Sequence, residues 1–255
     1  MSIKNAVFLL CLVFLPPSAF AAEADPDAAI TRAQADRILN ELTQIRLLLQ
    51  RIEQQGRNPV APPPPERERP PLKAEVSVTD RPVLGEPDAP VTLVEFVDYE
   101  CAFCRRFFAT TYPQLKEEYI DPGRVKLVIK DFPLGFHPRA RKAAQAAHCA
   151  GEQGAYWPMH DKLFGGSAGL NHGALLAYAD EIGLNASRFE ECLSSQRHLA
   201  QIDADIADAK AAGVRGTPAF VLGPERHGRV EGPHIRGALP FQVFKNHLDR
   251  LLEER

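Results

Sequence analysis

Between Thr31 and Ile52 the chain repeats at intervals of three and four residues without a break. Ala35, Leu42 and Leu49 fall at one position of this seam, and Thr31, Ile38, Ile45 and Ile52 at the other. The period predicts a helix with one narrow apolar stripe, widened by Leu39 and Leu48. Leucine at the first position and isoleucine at the second point to three or four packed helices rather than two. Residues 26–55 are therefore expected to form an oligomerisation stem; the alternative is a helix packed on its own domain. The periodicity then stops. Gly56–Leu72 (GRNPVAPPPPERERPPL) holds seven prolines and is expected to be an extended, semi-rigid linker, whose last fourteen residues would reach about 40 Å as polyproline II.

From Ala74 onward the pattern changes again. Val91–Tyr99 (VTLVEFVDY) is almost continuously apolar, as in a strand covered on both faces. A helix is predicted from about Ala102 to Tyr119, ended by Asp121-Pro122-Gly123, and Val125–Phe132 is a second buried strand. Strand, helix and strand at this spacing make a βαβ unit with a right-handed crossover. The signals from Pro138 to about Ala212 are helical, with breaks at Gly151-Glu152, Gly165-Gly166, Gly183 and Ser194-Ser195. Strand character returns at Thr217–Gly223 and at GRVEG (228–232), and a helix from Pro240 to Leu252 closes the chain. Residues 74–255 thus read as an α/β domain with a helical insertion at about 134–212.

Composition narrows the class. A hydrophobic fraction of 45% and a charged fraction of 25% suit a soluble globular protein, and a net charge of −3 gives no nucleic-acid footprint. Lys4, the apolar run Ala6–Leu15 and Ala19-Phe20-Ala21 read as a secretory signal over residues 1–21, cleaved near Ala21-Ala22. That run is too short for a bilayer span of about 20 residues. Bulky Leu10 before Cys11 argues against lipidation there. Without Cys11 the exported chain keeps Cys101, Cys104, Cys149 and Cys192, an even set that favours disulfide chemistry.

Two of these stand three apart in VEFVDYECAFCRRFF (94–108), where a strand gives way to a helix. A helix N-terminus carries free N–H groups and partial positive charge, which lower a thiol pKa, and the thiolate is the attacking species in disulfide exchange. Cys101 is expected to be exposed and Cys104 to face inward. Arg105 and Arg106 should favour the thiolate and Glu100 oppose it. With no histidine between the cysteines, the lowering should be mild. Zinc needs about four ligands, and only one such pair exists, with adjacent His148-Cys149 poorly placed to supply the rest. A metal site and a purely structural bridge are the alternatives to a redox couple.

The run VLGEPDAPVTLVEFVDYECAFCRRFF (83–108), with GTPAFVLG (216–223) downstream, resembles the DsbA-like thioredoxin-fold proteins of bacterial envelopes over roughly Val76–Leu252. The resemblance implies a thioredoxin fold with an inserted helical subdomain, here preceded by the N-terminal oligomerisation helix and Pro-rich linker. It implies Cys101 as nucleophile, Cys104 as resolving cysteine, and Pro218 as a cis-proline facing the pair, with Thr217 just before it. It also implies Glu95 as a buried glutamate beneath the pair, with Lys130 as its partner. A cis peptide is plausible because the residue is proline, and the Thr217 backbone would then be free to pair with an extended substrate. A buried Glu95 is costly unless partnered or protonated; the alternative is a surface residue on an edge strand. Ala102 stands where the family often has proline, which bears on oxidising strength. Cys149 and Cys192 are expected to form a structural disulfide worth about 2–4 kcal/mol, with a second, regulatory redox couple as the alternative. His137, in FPLGFHPRA, reads as a packing or capping residue and Trp157 as core; both are left outside the site.

The expected function is a periplasmic or secreted thiol–disulfide oxidoreductase acting on exported proteins, with no metal or organic cofactor and no nucleic-acid partner. A membrane redox partner would reset the pair. The stem, giving a homo-oligomer of two to four chains, tilts the expectation towards disulfide isomerase or mixed oxidase/isomerase, since several sites around one substrate raise effective concentration. A pure oxidase, and a non-catalytic thioredoxin-fold adaptor, are the alternatives.

Overall fold

The computed structural model describes residues 30–57 and 73–254. The signal segment, residues 26–29 of the expected stem and nearly all of the Pro-rich linker lie outside the described residues. The chain divides into two units, Met1–Arg67 and Glu68–Arg255.

The first unit contains α1 (Arg32–Arg57). Thr31 starts it as a cap rather than serving only as a seam residue. The Gln34 N–H donates to Thr31 Oγ1 at 3.3 Å, and the Thr31 N–H donates back to Gln34 Oε1 at 3.0 Å, the reciprocal pairing of a capping box. Ile38, Leu39, Leu42, Ile45, Leu48 and Leu49 are each about half exposed, between 46% and 62%.

Among its described residues the second unit is built on seven strands: β1 (Lys73–Ser77), β2 (Val83–Leu84), β3 (Val91–Val97), β4 (Val125–Asp131), β5 (Ala219–Gly223), β6 (Glu225–Arg226) and β7 (Arg229–Arg236). The order is β1-β7-β5-β3-β4-β2, with β6 paired to β7. Only β3 and β4 run parallel, as the βαβ pattern requires; β5 and β7 pair antiparallel next to β3. Every residue of β3 and β4 is buried, because helices cover both faces. One face packs Leu93, Val97, Leu127, Ile129, Phe220 and Leu222 under α2 (Ala102–Thr110), α9 (Phe241–Glu253) and helices of the insertion. The other packs Val94, Phe96, Val128 and Val221 against Val76, Ala209 and Val214. Gly232 permits the tight crossing of β5 and β7: a Cβ there would lie 1.8 Å from the Leu222 carbonyl oxygen.

Two details depart from the sequence pattern. The single helix expected over Ala102–Tyr119 is broken into α2, α3 (Tyr112–Leu115) and a π-helical turn (Lys116–Ile120). Pro113 explains the break, since it has no N–H to continue the ladder and its ring crowds the preceding turn. The short edge strands β1, β2 and β6 were not foreseen; with two to five residues each, they carry too few alternations to register as a period. Five helices separate β4 from β5: α4 (Ala140–Gly151), α5 (Tyr156–Gly165), α6 (His172–Glu181), α7 (Ala186–Ser195) and α8 (Leu199–Ala211). No described helix is long and apolar enough to cross a membrane.

Candidate active site

The C-terminal end of β3 delivers Cys101 to the N-cap of α2, with φ −72° and ψ 121°, and Cys104 to the first turn. Both are free thiols. Cys104 is fully buried. Cys101 is 5% exposed rather than open to solvent as expected, because the loop before β5 closes over it. That loop carries a cis peptide at Thr217-Pro218, and the Cys101 thiol donates to the Thr217 carbonyl at 3.4 Å. Cys101, Cys104, Thr217 and Pro218 therefore converge, from segments 116 positions apart.

The pair is electrostatically split. Cys101 is lowered from 9.0 to about 5, first by the hydrogen bond from Cys104 and then, against the cost of burial, by hydrogen bonding at Thr217 and by the N–H groups of Cys104 and Phe103. Cys104 is pushed well above 9.0, by burial first, then by its bond to Cys101 and the charge of Glu95. Such a pair holds one ready nucleophile and one guarded thiol. The lowering comes from the second thiol, Thr217 and the cap rather than from Arg105 and Arg106. Arg106 points away, donating to the Ala238 carbonyl at 3.2 Å and lying 5.1 Å from the Phe103 ring.

Glu95 lies on the buried face of β3 beneath the pair, and burial raises its carboxyl from 4.5 to about 8; the surface alternative is excluded by an exposure of 3%. The pairing with Lys130 is not formed, and this expectation is corrected. In the β3–β4 register Glu95 stands opposite Ile129, while Lys130 stands opposite Phe96. Side chains alternate between the faces of a sheet, so Lys130 belongs to the opposite face from Glu95. There its ammonium donates to the Ser77 carbonyl at 2.9 Å and pairs with Asp205 at 3.1 Å and with Asp208.

Cys149 of α4 and Cys192 of α7 form a disulfide. His198 lies within 4.8 Å of both sulfurs, but those sulfurs are bonded to each other. Trp157 sits at the rim of the core and donates to the Val83 carbonyl at 2.8 Å.

Two further residues belong to the site: Asp98, which the sequence reading did not single out, and His137, which it read as a packing or capping residue and left outside. Asp98 is buried and accepts from the Glu100 N–H at 2.8 Å and the Cys101 N–H at 3.1 Å. His137 meets the other oxygen of Asp98 at 2.7 Å. Asp98, three positions before Cys101, carried a local signal in its spacing, because an aspartate commonly binds backbone N–H groups just downstream of itself. His137 carried none, since 39 positions separate it from Asp98.

The thioredoxin family matches this chain over residues 77–234. Among solved structures, a thioredoxin-like oxidoreductase from Silicibacter pomeroyi DSS-3 is 30% identical with a TM-score of 0.57, over 67% of this chain and 91% of that one. Alpha-DsbA1 of Wolbachia pipientis is 25% identical with a TM-score of 0.62, over 70% and 94%. Oxidised BdbD from Bacillus subtilis shares the fold, with 23% identity and a TM-score of 0.63 over 72% and 99%. A curated relative, the Na(+)/H(+) antiporter NhaA 3 of Salinispora tropica, is 38% identical over 163 residues, 64% of this chain. The chain spans about a quarter of the length of the curated relatives it matches. A dithiol at the head of α2, faced by a cis-proline loop, in a DsbA-like fold shared with these solved proteins over most of their length, and the family match over residues 77–234, place this chain in the thioredoxin family.

Proposed function

We propose that the protein exchanges disulfides with exported proteins in the bacterial envelope, as an isomerase or mixed oxidase/isomerase, with Cys101 as nucleophile and Cys104 as resolving thiol. The observation that carries disulfide exchange is the free dithiol at the head of α2, Cys101 at its N-cap facing the cis Thr217-Pro218 peptide and Cys104 buried behind it. In the reduced protein the Cys101 thiolate attacks a substrate disulfide, forming a mixed disulfide and releasing one substrate thiolate. Either that thiolate attacks another substrate disulfide and a substrate thiolate finally displaces Cys101, which reshuffles the bonds, or the Cys104 thiolate attacks the Cys101 sulfur, forming the Cys101–Cys104 bond and releasing the second substrate thiolate. In the reverse direction a substrate thiolate attacks the oxidised pair, and the substrate is oxidised as the pair is reduced. The Thr217 backbone beside Cys101 suits an added substrate strand.

The apolar seam of α1 supports the isomerase reading, since a stem of two to four chains would gather several sites around one substrate. A membrane redox partner would reset the pair. A pure oxidase is the second reading, and the low pKa of Cys101 favours it: stabilising the thiolate stabilises the reduced form and makes the disulfide a stronger oxidant. Reactivation of scrambled ribonuclease, by the chain from Ala22 and by one starting at Leu72, separates the two. Strong activity lost on truncation supports the oligomeric isomerase. Rapid oxidation of reduced ribonuclease by both, without reshuffling, supports the oxidase. No reaction in either assay overturns both readings.

A further inference from the structure

One carboxylate ties the nucleophile's turn to the loop after β4. Asp98 Oδ1 accepts from the Glu100 and Cys101 N–H groups, while Oδ2 accepts from the Leu134 N–H at 2.8 Å and faces His137 Nδ1 at 2.7 Å. The Glu100 carboxylate accepts from the Arg139 N–H at 2.7 Å and so docks the same loop a second time. The Asp98 side chain is wholly buried, and that of His137 is 20% exposed. A buried carboxylate needs partners for its oxygens, and Asp98 has three backbone N–H donors with the His137 ring against its second oxygen. The charged groups facing His137 from the catalytic turn are Asp98, Glu100 and the Cys101 thiolate. On its own loop the Phe136 ring packs edge-on, 4.5 Å away.

We propose that His137 is a positioning residue of the exchange site: clamped by Asp98, it anchors the turn that presents Cys101 and balances the negative charge that appears there on reduction. The proposal rests on Cys101 being the nucleophile. When the disulfide is reduced by a substrate dithiol, two electrons and two protons leave the substrate. The electrons break the S–S bond, and one proton goes to Cys104. Cys101 remains a thiolate, so the second proton goes to solvent or to His137. Reduction and protonation of His137 then favour each other, and the coupling is equal in both directions. Burial draws the imidazole down, but the Asp98 hydrogen bond and charge outweigh it and hold His137 above its ordinary range.

The test uses the full chain. The His137 ring is titrated by NMR in the oxidised and the reduced protein, and iodoacetamide alkylation of Cys101 is followed against pH in the wild type and in His137→Gln, which can still donate to Asp98. Proton affinity of His137 should be at least about fivefold higher in the reduced protein, the lower end of coupling between linked sites. The alkylation profile should show a second inflection at the His137 pKa that the variant lacks. Identical His137 titrations in the two redox states overturn the proposal, and this arm needs no variant to fold. Superimposable alkylation profiles overturn it as well. If Cys101 reacts as an acidic thiolate while His137 ignores the redox state, this proposal alone fails. If Cys101 shows no thiolate reactivity at all, the assignment of the nucleophile fails with it.

Discussion

Removing the Cys104 sulfur should make Cys101 a weaker acid. The fall of Cys101 from 9.0 to about 5 amounts to about 5 kcal/mol in favour of the thiolate. The bond from Cys104 is the largest contribution, and a hydrogen bond to a charged group is worth about 1.5–3 kcal/mol. Cys104→Ala should therefore raise the Cys101 pKa by about one to two pH units. Cys104→Ser keeps an O–H donor at the same place and should leave it near the wild-type value. Thiolate ultraviolet absorbance against pH reads the change directly, because each variant has only one free cysteine among the described residues. Alkylation rate against pH gives an independent check. A value near 5 in Cys104→Ala would refute the reasoning and move the source of acidity to Thr217 and the α2 N–H groups.

Glu95→Gln should stabilise the protein by about 3 kcal/mol at pH 7 and by almost nothing at pH 4. The carboxyl is raised from 4.5 to about 8, so the stability tied to its protonated form is full below about 4.5 and lost as pH rises towards 8; urea unfolding at both pH values checks the sign. Cys149→Ser with Cys192→Ser should cost about 4 kcal/mol for a loop of 43 positions under the chain-entropy relation, with Cys101 acidity unchanged. Tryptic mapping without reduction should recover the Cys149–Cys192 peptide, and a free Cys149 would defeat the structural assignment. Lys130→Met leaves the carboxylate of Asp205, whose side chain is fully buried, short of one partner. It should cost about 3 kcal/mol in urea unfolding while leaving the Cys101 thiolate titration in place, as the placement of Lys130 away from Glu95 requires.

What the linear sequence determined is local. A short, largely apolar and β-branched segment of about seven residues bounded by turn signals suits a strand buried on both faces, so β3 and β4 were legible despite Glu95, Lys126 and Lys130 within them. The cysteine pair at a strand-to-helix junction carried its chemistry in its spacing, because one helical turn brings both sulfurs together. Glycine and serine breaks marked the inserted helices, and Pro113 held the signal for the interruption after α2. Tertiary structure decided whatever depends on which face a residue takes or which distant segment meets it. Lys130 and Glu95 are adjacent in the strand pairing but on opposite faces, and one residue of register separates a partner from a stranger. Cys101 is shielded by Thr217 from 116 positions away. Asp98 acquires His137 because the loop after β4 folds back over the end of β3. A hydrogen bond has no period along the chain; only the packing of the sheet ends placed that imidazole beside that carboxylate.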